Sequence, residues 1–205
     1  MEQRVKDALD GFEAREAAET QVISGLALPD YLKRRDEFLI SVGHEAGELI
    51  NLLAKGVNAR RILELGTSYG YSTLWLAEAA SCTNGTVVTT ELVPEKLAHA
   101  REVVAGAGLD GRVEFRLGDA RDIVDSLEGF VDFVLLDLWK ETYVECFDRL
   151  YSKLSPGALI VADNMLRPER HRPAAEQYRA HVRSKRGMTS VLLPVGNGLE
   201  LSRYD

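Results

Sequence analysis

The chain has 205 residues, which is enough for one well-packed domain, and its hydrophobic fraction of 45% and charged fraction of 28% are those of an ordinary soluble globular protein. The formal net charge of −7 disfavours a nucleic-acid partner, and no apolar stretch reaches the ~20 residues that a membrane span requires. The N-terminus is charged throughout, unlike a secretory signal, so we expect a cytoplasmic protein.

The first 55 residues or so are predicted to be helical. The segment VKDALDGFEAREAAE has helical spacing, Pro29 and Asp30 precede a second helix, and HEAGELINLLAKG ends at a glycine cap, Gly56. We interpret residues 1–55 as the N-terminal helical part of a single domain that spans residues 1–205, with residues 56–205 as its core.

From residue 60 onward, short apolar runs alternate with amphipathic segments. The predicted strands are RILEL, TVVTTE, VEFRL, VDFVLLD and ALIVAD, and the predicted helices between them are YSTLWLAEAAS, PEKLAHAREVVAGAG, ARDIVDSL and ETYVECFDRLYSKL. Such alternation predicts an α/β protein whose parallel sheet is covered by helices on both faces. A polar helix over residues 168–186 then precedes MTSVLLPV and LELSRY, two strands that the turn GNG joins into an antiparallel hairpin at one sheet edge.

Function in such a sheet is expected beyond the carboxyl ends of the strands. The first strand ends in ILELGTSYGYST, where Gly66 and Gly70 permit a tight turn and let backbone N–H groups approach a ligand. The alternative is a turn without a ligand. Ser68 stands where the dinucleotide fingerprint GxGxxG has its second glycine, which argues against close approach of a pyrophosphate.

The second and third strands are each followed by an acidic residue. Glu91 ends the second strand, and one carboxylate can accept hydrogen bonds from both vicinal hydroxyls of a ribose, although a solvated strand end is the alternative. Asp119 follows the third strand, near the expected position of an adenine amino group. A helix N-cap explains Asp119 almost as well.

The fourth and fifth strands end in a candidate metal site. Asp137, Asp163 and Asn164 supply three hard oxygen donors, and clustered carboxylates repel each other unless a cation or a hydroxyl-rich ligand lies among them. Such a set suits Mg²⁺. The two cysteines and four histidines are scattered without ligand spacing, which disfavours zinc.

The segments SVGHEAGELI, RILELGTSYGYSTLWLA, LLDLWKETY, IVADNM and NGLELSRY, in this order, resemble the S-adenosylmethionine-dependent class I methyltransferases. Within them the chain is similar to the metal-dependent group that contains the catechol and caffeoyl-CoA O-methyltransferases. The resemblance runs from about Val42 to Tyr204. It implies a Rossmann-like, mostly parallel sheet of seven strands with an antiparallel final strand, S-adenosylmethionine as cofactor, and Mg²⁺ or another hard divalent cation.

The resemblance also implies roles for individual residues. The cofactor contacts would be Val42, Glu64, Gly66, Ser72, Glu91, Asp119, Ala120 and Asp137. The metal ligands would be Asp137, Asp163 and Asn164, and the substrate contacts would be Trp139, Lys140, Asn164 and Glu200. Lys140 matches the catalytic lysine of the catechol enzyme. Leu138 departs from the family, because the animal catechol enzyme has histidine there, and the first 40 residues match nothing that can be carried over.

The expected reaction is methyl transfer to one of two adjacent phenolic hydroxyls of a small acceptor. Lys140 would take the proton of the attacking hydroxyl, and the alternative is that it only forms an ion pair with Asp137. Trp139 favours a flat aromatic acceptor, and a packing role is its alternative.

Other functions remain open at this point. A tRNA nucleoside hydroxyl could be the acceptor, since ARRI and HRPAAEQYRAHVRSKR offer basic residues, although a solvated helix face also explains the second run. A nicotinamide-dependent dehydrogenase is disfavoured by the missing glycine, and a non-catalytic binding module would not need the metal ligands and the lysine together. A homodimer through the N-terminal helices is a further expectation.

Overall fold

The apolar runs of the sequence form one mixed sheet at the centre of the molecule. The computed structural model describes all residues, Met1–Asp205. The strands are β1 (Arg61–Leu65), β2 (Thr86–Glu91), β3 (Val113–Leu117), β4 (Val131–Leu136), β5 (Leu154–Ala162), β6 (Met188–Leu193) and β7 (Leu199–Tyr204). They lie in the order β3-β2-β1-β4-β5-β7-β6. The first five are parallel, and β7 is antiparallel to both β5 and β6, which confirms the predicted sheet and its edge hairpin.

Eight α-helices cover the two faces of the sheet. They are α1 (Gln3–Ser24), α2 (Leu28–Arg34), α3 (His44–Gly56), α4 (Tyr71–Thr83), α5 (Pro94–Gly106), α6 (Ala120–Ser126), α7 (Tyr143–Tyr151) and α8 (Arg172–Ser184). None of them is long and apolar enough to serve as a membrane span.

Alternation along the strands creates two hydrophobic cores. In β4, Phe133 and Leu135 pack with residues of α1, α3, α4 and α5, whereas Val134 and Leu136 pack with residues of α6, α7 and α8. Successive side chains of a strand point to opposite faces, so a strand that is buried on both faces must be apolar at every position. This explains why β4 is apolar at every position from Phe133 to Leu136.

Three elements differ most from their predicted bounds. The strand predicted as ALIVAD begins four residues earlier, at Leu154, because Leu154 pairs with Val131 before the register shifts and Leu159 pairs with Phe133. A bulge of this kind lets a strand continue past residues that disturb the ladder. The predicted helix ETYVECFDRLYSKL therefore ends at Tyr151, and the polar helix predicted over 168–186 is shorter, Arg172–Ser184.

Candidate active site

The carboxyl ends of the parallel strands open into a cavity of about 980 Å³. The predicted site residues that line it are Val42, Gly66, Ser72, Glu91, Asp119, Ala120, Asp137, Trp139, Lys140 and Asn164. Glu64, Asp163 and Glu200 do not line it. A second cavity of about 400 Å³ lies at the opposite ends of the strands, beside Arg61, Thr86 and Val131, and contains none of the predicted site residues. The larger cavity is therefore the candidate site.

The turn after β1 is fixed by bonds to the end of β2. The backbone N–H groups of Gly66 and Thr67 both donate to the carbonyl of Thr90, at 3.2 and 2.9 Å. The N–H of Ser68 donates to a carboxylate oxygen of Glu91 at 2.8 Å, and Gly70 adopts a left-handed conformation immediately before α4. This turn brings Glu91 to the cavity wall and presents the first turn of α4 to the cavity.

Replacement of Gly66 by alanine is expected to destabilise the protein severely. Gly66 has φ of +109°, and a Cβ there would lie 2.1 Å from the backbone oxygen of Asp137. Strain in this region and overpacking against backbone each cost about 1–3 kcal/mol, so we expect Gly66→Ala to lower the free energy of unfolding by about 3 kcal/mol or more. Gly106 has no atom within 4 Å of such a Cβ, so Gly106→Ala should change it by less than about 1 kcal/mol. Urea unfolding of both variants checks this, and equal effects would contradict it.

Glu64 lies beneath the cavity and does not line it, and its contact with the cofactor stays a prediction. Its side chain is fully buried, and its oxygens accept hydrogen bonds from the hydroxyls of Ser72, Thr73 and Thr89, each at 2.6 Å. In β1 its side chain points toward α4, which carries Ser72 and Thr73. Burial raises the pKa of Glu64 to about 7, although the three hydroxyl bonds oppose the rise. Glu64 therefore positions Ser72, which does line the cavity.

The raised pKa of Glu64 predicts a specific dependence of stability on pH. Between the ordinary pKa of 4.5 and about 7, the unfolded chain loses the proton of Glu64 while the folded protein keeps it. The free energy of unfolding should therefore be highest below pH 4.5 and should fall as the pH rises through 7, by about 2–3 kcal/mol from this group. Glu64→Gln should lack this loss. Urea unfolding of wild type and variant between pH 5 and pH 8 checks the difference, and two parallel pH curves would refute it.

Glu91 and Asp119 both line the cavity, but their carboxylates have different hydrogen-bond partners. Glu91 accepts from the backbone N–H groups of Leu92 and Val93, at 2.8 and 3.0 Å, as well as from Ser68, and forms no ion pair with a basic side chain. Asp119 caps α6 by accepting from the N–H of Arg121 at 2.9 Å, and its bonds to the Arg121 side chain lower its pKa to about 2. The N-cap interpretation of Asp119 is therefore observed, although Asp119 also lines the cavity.

Asp163 is a buried carboxylate without a partner. It has no exposed surface, and neither of its carboxylate oxygens has a hydrogen-bond partner. Burial raises the pKa of Asp163, and the nearby charge of Asp137 raises it further. Asn164, the next residue, has φ of +58° and lines the cavity.

The chemistry of these side chains fits a hard divalent cation. Orphaned carboxylate oxygens and an amide oxygen are ligands that Mg²⁺ and Ca²⁺ accept, and a cation would relieve the repulsion between the two aspartates. No group of three or more histidine, cysteine, aspartate or glutamate side chains suited to a metal is found in the chain. A metal here would therefore need the amide of Asn164 as its third protein ligand, in addition to Asp137 and Asp163.

Lys140 is buried at the border of this group. Its side chain is 4% exposed, and its Nζ lies 3.5 Å from a carboxylate oxygen of Asp137. The Nζ also donates to the carbonyl of Leu138 at 2.9 Å and to the hydroxyl of Tyr143 at 2.5 Å. Burial lowers the pKa of Lys140, against the opposing charges of Asp137 and Asp163. The ion pair that the sequence offered as an alternative is present, and so is the depressed pKa that a base requires.

Tyr143 is a site residue that the sequence analysis missed. It is fully buried, and its hydroxyl, which accepts from Lys140, donates to the carbonyl of Leu136 at 2.8 Å. Tyr143 thus ties the position of the lysine to the end of β4. Its position three residues after Lys140 in LLDLWKETY was the only available signal.

Trp139 belongs to the cavity wall and not to the core. Its side chain is 42% exposed, and the guanidinium of Arg35 lies 4.0 Å from its ring centroid. Arg170 and His171 line the same cavity, and burial together with the charges of Arg170 and Lys140 lowers the pKa of His171. The sequence named none of these three basic residues individually as a site residue, since the first 40 residues matched nothing that could be carried over.

Glu200 does not line the cavity, and its contact with substrate stays a prediction. Its side chain is fully buried in β7, where Arg179 and Arg183 each form an ion pair with it at 2.8 Å. Ser190 donates to it at 2.7 Å. These three donors from α8 and β6 account for both of its oxygens. Glu200 is therefore a structural residue that fixes α8 to the sheet.

Comparisons with known proteins show what the chain is similar to. The sequence profile of the family described as O-methyltransferase matches residues 17–204. The catechol O-methyltransferase of Niastella koreensis is 41% identical over 132 residues, which cover 62% of this chain and 59% of that protein. The chain thus matches about three-fifths of the length of that relative. Caffeoyl-CoA O-methyltransferase 2 of Eucalyptus globulus is 30% identical over 186 residues, which cover 80% of this chain and 75% of that protein.

A solved structure extends the likeness to nearly the whole chain. The O-methyltransferase from Bacillus cereus, solved in complex with SAH, superposes with a TM-score of 0.76 at 25% identity. The superposition covers 95% of this chain and 100% of that chain. The shared architecture is therefore that of the full fold and not of the sheet alone.

Proposed function

Because this chain belongs to the O-methyltransferase family, we propose that it transfers a methyl group from S-adenosylmethionine to a hydroxyl oxygen of a small catechol-like or phenolic acceptor. The observation that carries this proposal is a buried lysine, Lys140, next to carboxylate oxygens that could bind a metal ion. Lys140 lies 3.5 Å from Asp137, and both oxygens of the neighbouring Asp163 lack partners.

The cofactor is proposed to occupy the part of the cavity around the turn after β1. S-adenosylmethionine, when bound, supplies an electrophilic sulfonium methyl group. Glu91 would accept from the ribose hydroxyls, since its carboxylate is already oriented by three backbone N–H groups. Ser72, held by Glu64, and the backbone near Gly66 would contact the methionine part. Leu138 offers an apolar contact where the animal catechol enzyme has histidine.

Asp137, Asp163 and Asn164 are proposed to hold Mg²⁺ or a similar cation. Such an ion, when bound, makes a neighbouring phenolic hydroxyl more acidic. The protein's own contribution is to bring two carboxylates and one amide to the ends of β4 and β5 and to exclude water from Asp163, whose side chain has no exposed surface.

Lys140 is proposed as the general base. Its Nζ is held by Tyr143 and the carbonyl of Leu138, so the amine cannot swing freely into solvent. A lysine can accept a proton only when it is neutral, and burial depresses its pKa in that direction. The residues around it orient both reactants, and this positioning supplies much of the rate without a covalent intermediate on the enzyme.

The alternative acceptor, a tRNA nucleoside, loses its main support. The basic run HRPAAEQYRAHVRSKR forms the region of α8, and most of its charges are paired within the protein. Arg179 and Arg183 pair with Glu200, His181 and Lys185 with Asp148, and Arg172 with Glu176. Paired side chains offer little attraction to phosphates. No specific observation favours a nicotinamide cofactor or a purely structural role.

Ligand binding tests the proposal directly. We expect S-adenosylhomocysteine to raise the melting temperature and NAD to leave it unchanged, because only a ligand that binds the folded state stabilises it. Glu91→Ala should raise the Kd of S-adenosylhomocysteine about tenfold or more, as expected for the loss of hydrogen bonds to a charged group. Methyl transfer to catechol in the presence of Mg²⁺ completes the test. The proposal would be rejected if NAD and not S-adenosylhomocysteine raised the melting temperature. It would also be rejected if no phenol accepted a methyl group.

A further inference from the structure

The charged side chains of the cavity are not all neutralised. Three carboxylates of its wall form ion pairs with basic residues of the same wall: Asp36 with Lys96 at 2.9 Å, Asp119 with Arg121 at 2.5 Å, and Asp137 with Lys140 at 3.5 Å. Arg35 and Arg170 also line the cavity, yet neither has a carboxylate within 4.0 Å. An unpaired guanidinium in a ligand cavity presents donors that suit a carboxylate.

Arg35 stands beside the residue expected to face the acceptor ring. Its guanidinium lies 4.0 Å from the centroid of Trp139, which is 42% exposed. It belongs to a short 3-10 helix, Arg35–Glu37, that follows α2, and no residue of α2 is buried. Stacking on Trp139 occupies the face of the guanidinium and leaves the in-plane N–H donors free. An aromatic ring seated against Trp139 would therefore present its substituent to Arg35.

Arg170 lines the same cavity as Arg35. It lies in the 3-10 helix Glu169–His171, six residues after Asn164 in the chain. Lys140 and His171 line the same cavity, and the charges of Arg170 and Lys140 both lower the pKa of His171. The opposing unpaired carboxylate on this side is Glu141, which is exposed. The cavity wall therefore holds two arginines that have no carboxylate partner.

We propose that the preferred acceptor is a dihydroxylated aromatic acid, and that Arg35 and Arg170 select it by binding its carboxylate. This inference rests on the proposed function, because it assigns the acceptor to the end of the cavity that holds Trp139 and Lys140. A hydrogen-bonded carboxylate–guanidinium contact at a partly exposed site corresponds to about tenfold in affinity. Neutral catechols should bind less tightly, and cationic catechols should bind least tightly.

Three probes that share the catechol ring and carry a negative, a neutral or a positive substituent test this selection. Isothermal titration calorimetry would measure the Kd of 3,4-dihydroxybenzoate, its methyl ester and 3,4-dihydroxybenzylamine with protein that contains S-adenosylhomocysteine and Mg²⁺. We expect the acid to bind about tenfold more tightly than the ester, and the amine to bind more weakly than the ester. In the double variant Arg35→Gln/Arg170→Gln the ratio of acid to ester should approach one.

Matched control variants test whether the preference for the acid comes from Arg35 and Arg170. Lys33→Gln removes the same charge from an exposed position of α2 that does not line the cavity, so it should keep the ratio of the wild type. Arg35→Lys keeps the charge and should retain part of the preference. A preference that survives in the double variant would show that the cation, and not the arginines, binds the carboxylate, and that result would overturn the inference.

The outcomes distinguish this inference from the proposed function. Equal Kd values for acid and ester in the wild type would overturn the inference, even if both compounds are methylated. Binding in the expected charge order without methylation of any probe would refute the proposed function and leave the selection by Arg35 and Arg170 supported. Absence of binding by all three probes would overturn the inference as well.

Discussion

With EDTA in place of Mg²⁺, methyl transfer to a catechol is expected to fall at least ~100-fold, and added Mg²⁺ should restore it. A bound cation is worth several kcal/mol of charge stabilisation in reactions of this kind. The structural reason is Asp163, whose two oxygens are buried without a partner next to a second carboxylate, Asp137. A charged carboxylate without a counter-charge is costly to bury, and this cost supports the proposed cation at Asp163.

Asp163→Asn separates the metal effect from a loss of folding. The variant replaces a buried carboxyl group that lacks hydrogen-bond partners, so in EDTA its melting temperature should equal or exceed that of the wild type. Mg²⁺ should raise the melting temperature of the wild type and should not raise that of the variant. Asp110→Asn is the matched control, since Asp110 is exposed and lies outside the cavity, and it should respond to Mg²⁺ like the wild type.

Two results would contradict the proposed metal site. Full activity in EDTA would show that the oxygens of Asp163 serve no cation in the reaction. A Mg²⁺-dependent stabilisation that survives in Asp163→Asn would place the cation elsewhere in the protein. Either result leaves the role of Lys140 open, because that role is tested separately.

The strands could be predicted where burial requires an apolar run in the sequence. β1, β2, β3 and β7 have the bounds that their apolar runs predicted, because each run is flanked by turn residues or charges. The start of β5 was not predictable, since Ser155, Pro156 and Gly157 read as a turn. Only the pairing of Leu154 with Val131 across the bulge keeps them in the strand. That information lies in the neighbouring strand and not in the local sequence.

The cavity was predictable from topology, and the pairings within it were not. Parallel strands carry their carboxyl ends to one edge, so Glu91, Asp137 and Asn164 had to lie on the same side of the sheet. In contrast, the partners of Glu200 come from α8 and β6, and a lone glutamate in NGLELSRY carries no sign of them. The single-domain boundary, the dimer and the residue roles stay predictions.

Replacement of Lys140 by arginine is expected to abolish methyl transfer while preserving cofactor binding. Arginine keeps the positive charge beside Asp137, but its pKa is too high for it to lose a proton in a protein. A general base contributes about 10²–10⁴ in rate, so kcat should fall by that factor, and Lys140→Ala should lose a similar amount. The Kd of S-adenosylhomocysteine, measured by calorimetry, should stay within about threefold of the wild type in both variants.

The arginine variant decides between the two roles that the site allows. If Lys140 served only as the ion-pair partner of Asp137, arginine would supply the same charge and kcat would be largely retained, whereas alanine would still be impaired. If Lys140 is the base, both variants lose activity. The wild-type rate should then rise with pH through the pKa of Lys140, since only the neutral amine accepts a proton, and this rise should be absent from the residual activity of Lys140→Ala. If the rate of Lys140→Ala depended on pH in the same way as that of the wild type, the titrating group would be another residue. Lys140 would then not be the base.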